Sequence, residues 1–96
     1  MPYEIIYHPE IKEKDLPRIP KNIQHRIRKA IESRLLEDPA LAGKPLRQSL
    51  KGHRKMRVGD YRVIYRVDED KNVILILIIG NRKEVYSKVF KRFPAV

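Results

Sequence analysis

Apolar and polar residues alternate along residues 53–67, on both sides of the pair Gly59-Asp60. Alternation with a period of two is typical of a β-strand that buries one face, and a Gly-Asp pair supplies the positive φ of a tight turn. The stretch therefore predicts a β-hairpin with a two-residue loop. Such a loop fixes the register and places Val58 opposite Tyr61. We expect one apolar face made of Met56, Val58, Tyr61, Val63, Tyr65 and Val67.

The opposite face of the predicted hairpin carries basic side chains. Arg57 lies opposite Arg62 in this register, and Lys55 and Arg66 share their face. We call these four residues the basic face. Two arginines directly across a strand pair repel each other by a few tenths of a kcal/mol up to about 1 kcal/mol. Because the pattern places no carboxylate opposite them, the arrangement indicates a site for a bound anion.

The first third of the chain predicts one strand and two helices. Residues 3–8 are β-branched and aromatic, which favours a strand, and Pro9 suits the first turn of a short helix that ends near residue 15. A longer helix begins at Pro20 and ends near Asp38. Its apolar stripe consists of residues three and four apart, namely Ile23, Ile27, Ala30, Ile31 and Leu35.

The rest of the chain predicts a loop, a central strand and a last helix. Residues 39–52 contain two prolines and two glycines, which favours a surface loop, anchored by Leu41, Leu46 and Leu50. Residues 73–79 are apolar at successive positions, which is typical of a strand covered on both faces. Residues 82–92 return to helical spacing, with a stripe of Val85, Tyr86, Val89, Phe90 and Phe93.

This order of elements predicts an α+β fold in a single domain that spans residues 1–96. We expect a small antiparallel β-sheet with an N-terminal helical hairpin packed on one face and a short C-terminal helix. The basic face would then lie on the side of the sheet away from the helical hairpin.

Composition narrows the choice of partners. The chain has 22 Lys and Arg against 12 Asp and Glu, a formal net charge of +10 and a pI near 10.1. This charge favours nucleic acid or an acidic protein partner. The longest apolar run, residues 73–79, is too short to cross a bilayer, so we expect no membrane association and a cytoplasmic protein. With no cysteine and no metal-ligand spacing of His, Asp and Glu, we expect neither a metal nor a cofactor.

Three stretches of the sequence carry a resemblance to a known family. After the amphipathic helix come, in order, KPLRQSLKGHRKMRVG, GDYRVIYRV and IIGNRKEVY. Their order and spacing, over nearly the whole chain, closely resemble the RelE/ParE superfamily of bacterial and archaeal type II toxins. RelE-like members are ribosome-dependent endoribonucleases that cut messenger RNA in the decoding site, whereas ParE-like members inhibit DNA gyrase and some relatives are inactive.

The resemblance also implies which residues act. In the RelE-like branch, activity depends on positions that correspond here to Lys55, Arg62, Arg82 and Tyr86. A further set is expected to contact RNA: His53, Arg54, Arg57 and Arg66. Several RelE proteins carry a second lysine where this chain has His53, so His53 is either an alternative acid or base or a structural residue.

The chemistry of RNA cleavage fits these residue types. Attack by the 2′-hydroxyl requires a base, donors for the charge that grows on the phosphate oxygens, and an acid for the 5′-oxygen. Arg62 and Arg82 suit the donor role, since a guanidinium grips phosphate through two hydrogen bonds. Lys55 is the candidate base, because repulsion from Arg57 and Arg62 favours its neutral amine. Tyr86 offers a ring for stacking and a hydroxyl for proton exchange, although its spacing also fits core packing.

The favoured hypothesis is an endoribonuclease toxin that cuts messenger RNA on the ribosome without a metal ion. An acidic cognate antitoxin would hold it inactive in a heteromeric complex. Two alternatives stay open, a ParE-like inhibitor of DNA gyrase and a catalytically inactive RNA-binding relative. Ribosome-dependent cuts, inhibited gyrase, and salt-dependent RNA binding without cuts would distinguish the three.

Overall fold

The computed structural model describes residues 3–37, 44–45 and 53–92. Within these residues the strands are β1 (Glu4–Tyr7), β2 (Lys44–Pro45), β3 (His53–Val58), β4 (Tyr61–Asp68) and β5 (Val73–Asn81). The helical segments are a π-helical turn (Ile11–Asp15), a 3₁₀ turn (Leu16–Arg18), helix α1 (Lys21–Ala30) with a π-helical extension (Ile31–Leu35), and helix α2 (Val85–Arg92). None of these described helices has the length and apolar composition needed to cross a membrane. The predicted α+β fold is confirmed.

The strands form one sheet in the order β1-β5-β4-β3-β2, and one pair differs from the antiparallel expectation. β1 runs parallel to β5, with Glu4 opposite Val73 and Tyr7 opposite Ile76, whereas the other strand pairs described are antiparallel. Parallel neighbours need a long crossover connection instead of a tight turn. The N-terminal helical segments lie in that connection and so cover one face of the sheet.

The β3–β4 hairpin has the register that the alternation predicts, with Val58 opposite Tyr61. Gly59 has a φ of 60°, and in the described part of the chain Asn72 is the one non-glycine residue with a positive φ. The turn therefore takes its positive φ from Gly59 and not from Asp60. A positive φ at the first turn residue alone is the pattern of a type II′ turn, which suits the twist of a hairpin.

The N-terminal helices pack on the face of the sheet that the sequence predicts to be apolar. Ile27, Ile31 and Leu35 recur every four residues and are all buried, so they form the contact stripe of α1 and its extension. Opposite them lie the buried sheet residues Met56, Val58, Val63, Tyr65, Ile74, Ile76 and Ile79. The first helical segment is longer than predicted, because the 3₁₀ turn carries it past Asp15 to Arg18.

Helix α2 packs on the other face. Val85 and Val89 are one turn apart and fully buried, and they contact Ile64 and Ile78. Both faces of β5 are therefore covered, as its continuous apolar sequence predicts. The helix begins later than predicted, because residues 82–84 form a turn.

The short strand β2 lies within the region predicted to be a loop. Lys44 pairs with Lys55 and Pro45 pairs with Arg54, which makes β2 an edge strand of the sheet. A proline suits an edge strand, since it has no N–H to donate to a further neighbour. The predicted loop anchors Leu41, Leu46 and Leu50, and Phe93 of the C-terminal stripe, lie outside the described residues.

Candidate functional site

The basic face lies on the same side of the sheet as α2. Arg57 is opposite Arg62 and Lys55 is opposite Ile64, as the hairpin register predicts. Ile64 is buried against α2, so Lys55 stands at the border of that helix. Arg57 is exposed, whereas Lys55 and Arg62 are half-buried. The sheet thus presents three cationic side chains beside one helix.

Lys55 lies over the ring of Tyr86, with its Nζ 5.4 Å from the ring centroid. Tyr86 is half-buried in the first turn of α2 and packs against the cluster that contains Ile64 and Val85. A cation over an aromatic face is attracted by about 0.5–1 kcal/mol at a partly exposed site. The two residues that the sequence analysis placed in the site from separate elements are therefore in contact.

The Arg62 guanidinium turns back toward the hairpin loop. Its Nη1 donates to the carbonyl of Gly59 at 3.1 Å and to that of Tyr61 at 2.9 Å. No hydrogen bond within the described part of the chain uses Nε or Nη2 of this side chain. The loop thus orients the guanidinium while leaving part of its donor set for a ligand.

Arg82 follows β5 at the same end of the sheet. Its backbone N–H donates to the carbonyl of Asp60 at 2.9 Å, which ties the segment after β5 to the hairpin turn. Its side chain is exposed. Arg62 of β4 pairs with Gly80 of β5, and Arg82 lies two residues after Gly80 in the turn that follows β5, so the two arginines are near the same end of the sheet.

Three of the residues predicted to contact RNA are not brought into this group. His53 and Arg66 are opposite each other in the β3–β4 register, toward the end of the hairpin away from the turn. At the usual rise per residue they lie about 13 Å along the strands from Arg57 and Arg62. His53 is only 4% exposed, which leaves it little surface for a ligand. Arg54 is two residues before Met56 on β3, so both side chains point to the same side of the sheet. Met56 faces the core, and Arg54 therefore lies on the side opposite the basic face.

Asp15 and Arg92 form an ion pair that the sequence pattern does not predict. Arg92 donates from Nη2 to Oδ1 of Asp15 at 2.8 Å and from Nη1 to Oδ2 at 3.0 Å. The carboxylate also accepts from the N–H of Ile79 at 3.0 Å, and Arg92 also donates to the carbonyl of Leu77 at 3.0 Å. Both side chains are less than a tenth exposed. No local pattern could reveal this pair, because its members are 77 positions apart.

Carboxylates in the described residues neutralise cations elsewhere, and none of them forms an ion pair with Lys55, Arg57, Arg62, Arg66 or Arg82. A hydrogen bond from Lys14 and the nearby charge of Arg92 hold the pKa of Glu10 below its usual value. A hydrogen bond from Lys88 likewise lowers the pKa of Glu84. The acidic groups with the clearest cationic partners thus lie outside the basic face, which keeps its own positive charges available to a ligand.

Comparison with protein families gives one match over most of the chain. Residues 2–86 match the family described as ParE toxin of type II toxin-antitoxin system, parDE. The matched range includes the hairpin, β5 and Tyr86, and therefore the whole candidate site.

Three curated relatives are RelE-type toxins. Toxin RelG of Mycobacterium tuberculosis is 31% identical over 88 residues, which cover 92% of this chain and 100% of the relative. Toxin RelE of the same organism is 37% identical over 73 residues, or 76% of this chain and 75% of the relative. The mRNA interferase toxin RelE of Escherichia coli is 28% identical over 82 residues, which cover 82% of this chain and 85% of the relative.

Solved structures agree with these relatives. The RelBE2 toxin-antitoxin complex of Mycobacterium tuberculosis contains a chain with a TM-score of 0.77 and 30% identity, and the match covers 85% of this chain and 100% of that one. The archaeal RelE-RelB complex of Pyrococcus horikoshii contains a chain with a TM-score of 0.67 and 28% identity, and the match covers 85% of this chain and 97% of that one. The family match, the relatives and the shared fold lead to one conclusion: the chain belongs to the ParE toxin family of type II toxin-antitoxin systems, as a RelE-like member of the RelE/ParE superfamily.

Proposed function

We propose that this toxin cuts messenger RNA on the ribosome, with the scissile phosphate bound on the basic face beside α2. The observation that carries the proposal is the contact between Lys55 and Tyr86, next to two arginines that have no carboxylate partner among the described residues. The name of the Escherichia coli relative, an mRNA interferase, supports the same reaction class.

The proposed reaction needs no group beyond the RNA and the protein. The 2′-oxygen attacks the adjacent phosphorus while the bond from phosphorus to the 5′-oxygen breaks. A base accepts the 2′-hydroxyl proton and an acid protonates the departing 5′-oxygen. The products are a 2′,3′-cyclic phosphate and a 5′-hydroxyl, and no metal ion takes part.

Arg62 and Arg82 are the proposed ligands of the phosphate oxygens. The carbonyls of Gly59 and Tyr61 hold one nitrogen of Arg62, so its fork is oriented before RNA binds. A pre-oriented donor loses less side-chain freedom on binding and stabilises the developing charge more effectively. Arg82 is fixed at its backbone by Asp60 and contributes from the neighbouring segment with an exposed side chain.

Lys55 and Tyr86 are the proposed proton-transfer pair. The Tyr86 ring packs against the α2 cluster and carries the Lys55 ammonium near one face, so little of the ring is free to stack on a base. This favours the hydroxyl of Tyr86 as its functional group. Lys55 is the proposed acceptor of the 2′-hydroxyl proton, and it lies on the same face of the hairpin as Arg57 and Arg62.

The other predicted RNA contacts have lesser proposed roles. Arg57 is exposed beside Arg62 and attracts the RNA backbone through its charge. Arg66 extends the same charged path toward the far end of the hairpin. The burial of His53 favours a structural role over that of acid or base, and the position of Arg54 on the other side of the sheet favours no direct contact.

An acidic antitoxin is the proposed partner that controls this toxin in the cytoplasm. The structural relatives from Mycobacterium tuberculosis and Pyrococcus horikoshii are toxin-antitoxin complexes. A net charge of +10 calls for an acidic partner, and a heteromeric complex would neutralise the charges that the RNA otherwise meets.

A second candidate function is inhibition of DNA gyrase without phosphodiester chemistry. The observation that favours it is the matched family itself, which is described by ParE. Under this alternative the Lys55–Tyr86 contact would have no catalytic purpose.

The test maps message cleavage by the purified protein, with and without programmed ribosomes. Cuts that require ribosomes and that fall at least about a hundredfold in Arg82→Ala would support the proposal. Lys29→Ala is the matched control, since Lys29 is an exposed cation of α1 on the other side of the sheet. Gyrase inhibition without cuts would select the second candidate, and equal loss in the two variants would mean that bulk charge and not the site is responsible.

A further inference from the structure

We infer that Asp15 is a positioning residue for RNA cleavage, because with Arg92 it holds helix α2, which carries Tyr86. The inference rests on the proposed function for its catalytic consequence. Its structural part rests on four hydrogen bonds: Arg92 donates two to Asp15 and one to the carbonyl of Leu77 on β5, and Asp15 accepts one from the N–H of Ile79 on β5. We call Asp15 and Arg92 the clamp.

β1 pairs with the first part of β5, and the clamp bonds to the backbone of β5 beyond the end of β1. β1 pairs with Val73 through Ile76, and the N–H of His8 then bonds to the carbonyl of Ile76. Beyond that point the carbonyl of Leu77 meets Arg92 and the N–H of Ile79 meets Asp15. The clamp therefore replaces a neighbouring strand. Its geometry is set by the sheet backbone and not by two flexible side chains alone.

Helix α2 needs such an attachment. It has eight residues, fewer than an isolated helix needs to be stable in water. Val85 and Val89 are its buried contacts with the sheet, whereas Phe90 is 42% exposed. Arg92 ends the helix, so the clamp fixes the end that the valines and the turn from β5 do not.

Tyr86 is the residue through which the clamp affects RNA cleavage. It lies in the first turn of α2, and its ring keeps Lys55 at 5.4 Å. The orientation of a two-turn helix is set by both of its ends, so release of Arg92 would let Tyr86 shift relative to Lys55 on the fixed strand. A misplacement of about 1 Å in a catalytic group can lower the rate about a hundredfold.

A second ion pair on α2 provides the control. Lys88 pairs with Glu84 at 3.0 Å, but both side chains are well exposed, and Glu84 lies in the turn directly before α2. This pair does not connect α2 to any other element. Replacing Lys88 removes an ion pair from the helix without removing its attachment to the sheet.

The first measurement is amide hydrogen exchange in α2. Asp15→Asn keeps the size of the side chain and an acceptor for Ile79 but removes the charge that binds Nη1 and Nη2 of Arg92, which leaves the longer ion pair of 3.4 Å between Arg92 Nε and Glu10. We expect exchange in α2 to rise at least about tenfold while that of β3 and β4 stays unchanged. Arg92→Lys keeps the charge but loses the two-pronged contact, so it should give an intermediate increase and remains informative if Asp15→Asn does not fold. Lys88→Gln should change exchange less than about threefold.

The second measurement is single-turnover cleavage on programmed ribosomes, in the wild-type and Tyr86→Phe backgrounds. In the wild type, Asp15→Asn should lower the maximal rate about tenfold or more with little change in the concentration giving half-maximal rate. In Tyr86→Phe the same change should cost less than about threefold, because the hydroxyl that the clamp positions is already gone.

The outcomes separate the inference from the proposed function. Unchanged exchange in α2, or an equal loss of cleavage in both backgrounds, would overturn the positioning role. A wild-type protein that cuts no message while Asp15→Asn raises exchange in α2 would instead overturn the proposed function. The clamp would then be purely structural.

Discussion

Lys55 is the residue whose surroundings decide the most about this toxin. It sits on a strand fixed by the hairpin register, touches the Tyr86 ring, and has no carboxylate partner in the described ranges. Arg57 and Arg62 lie on the same face of the hairpin as Lys55. These surroundings support the proposed role of Lys55 as the base in cleavage.

Lys55→Arg tests this role directly. The change keeps the positive charge but removes any accessible base, since a guanidinium stays protonated. We expect the cleavage rate on programmed ribosomes to fall by about 10²–10⁴-fold. Affinity for a non-cleavable RNA should stay within about twofold of wild type, because the phosphate still meets the same charge. Cleavage at a near wild-type rate would exclude Lys55 as the base.

Tyr86→Phe separates the hydroxyl of Tyr86 from its ring. The ring remains to pack on α2 and to hold Lys55, so stability should change by less than about 1 kcal/mol. Loss of the hydroxyl should lower the cleavage rate by about 10²-fold in single-turnover assays. If the variant keeps full activity, the residue acts through packing or stacking alone.

At the scale of elements, the hairpin turn and helix α2 together position the residues of the candidate site. The turn orients Arg62 through the carbonyl of Gly59 and ties down Arg82 through that of Asp60. Helix α2 brings Tyr86 over the strand that carries Lys55. The turn depends on the positive φ of Gly59, which its own sequence supplies, whereas α2 depends on its contacts with the sheet.

Gly59→Ala should destabilise the protein by about 1–2 kcal/mol, because an L-residue is strained at the positive φ of this turn. A steric clash does not cause this destabilisation, since a Cβ at Gly59 would come no closer than 4.0 Å to Arg26. Thermal unfolding should show a Tm lower by roughly 5–10 °C. Gly80→Ala is the matched control, because its Cβ would make an ordinary 3.5 Å contact with Val85 and its φ is not positive. A larger loss at Gly80 than at Gly59 would contradict this account of the turn.

At the scale of the whole molecule, charge is segregated by location. The chain carries +10, yet the ion pairs of the described residues involve Glu10, Asp15 and Glu84, away from the basic face. The N-terminal helices cover one side of the sheet, and α2 covers only part of the other. Among the described residues near α2 on that side, Arg57 and Arg82 are exposed, and such cations suit a polyanion.

Binding of a non-cleavable single-stranded RNA should weaken steeply with salt. If Lys55, Arg57, Arg62 and Arg82 each neutralise a phosphate, the logarithm of the affinity should fall with the logarithm of salt concentration with a slope of about −3. Arg57→Ala should reduce the magnitude of that slope by about 0.7. Fluorescence anisotropy across a salt series measures both values. An equal effect of Lys29→Ala would show that charge anywhere on the protein suffices.

Local sequence was enough to predict the elements that depend on neighbouring residues. The alternation around Gly59 fixed the β3–β4 register, since side-chain parity and turn length leave no freedom once the loop has two residues. The apolar run of β5 predicted burial on both faces. The helical spacing of Val85 and Val89 predicted which side of α2 is buried, but the prediction was wrong for Phe90 of the same stripe, which is 42% exposed. The same alternation separated the basic face from the core.

Contacts between distant parts of the chain required the tertiary structure. The parallel pairing of β1 with β5, the clamp between Asp15 and Arg92, and the burial of His53 have no signature in the nearby sequence. Hydrophobic periodicity reports only which side of an element faces the core. It does not report which elements meet, because that choice depends on how the whole chain packs. The sequence by itself thus determined the basic face, and only packing decided that Tyr86 would lie against Lys55.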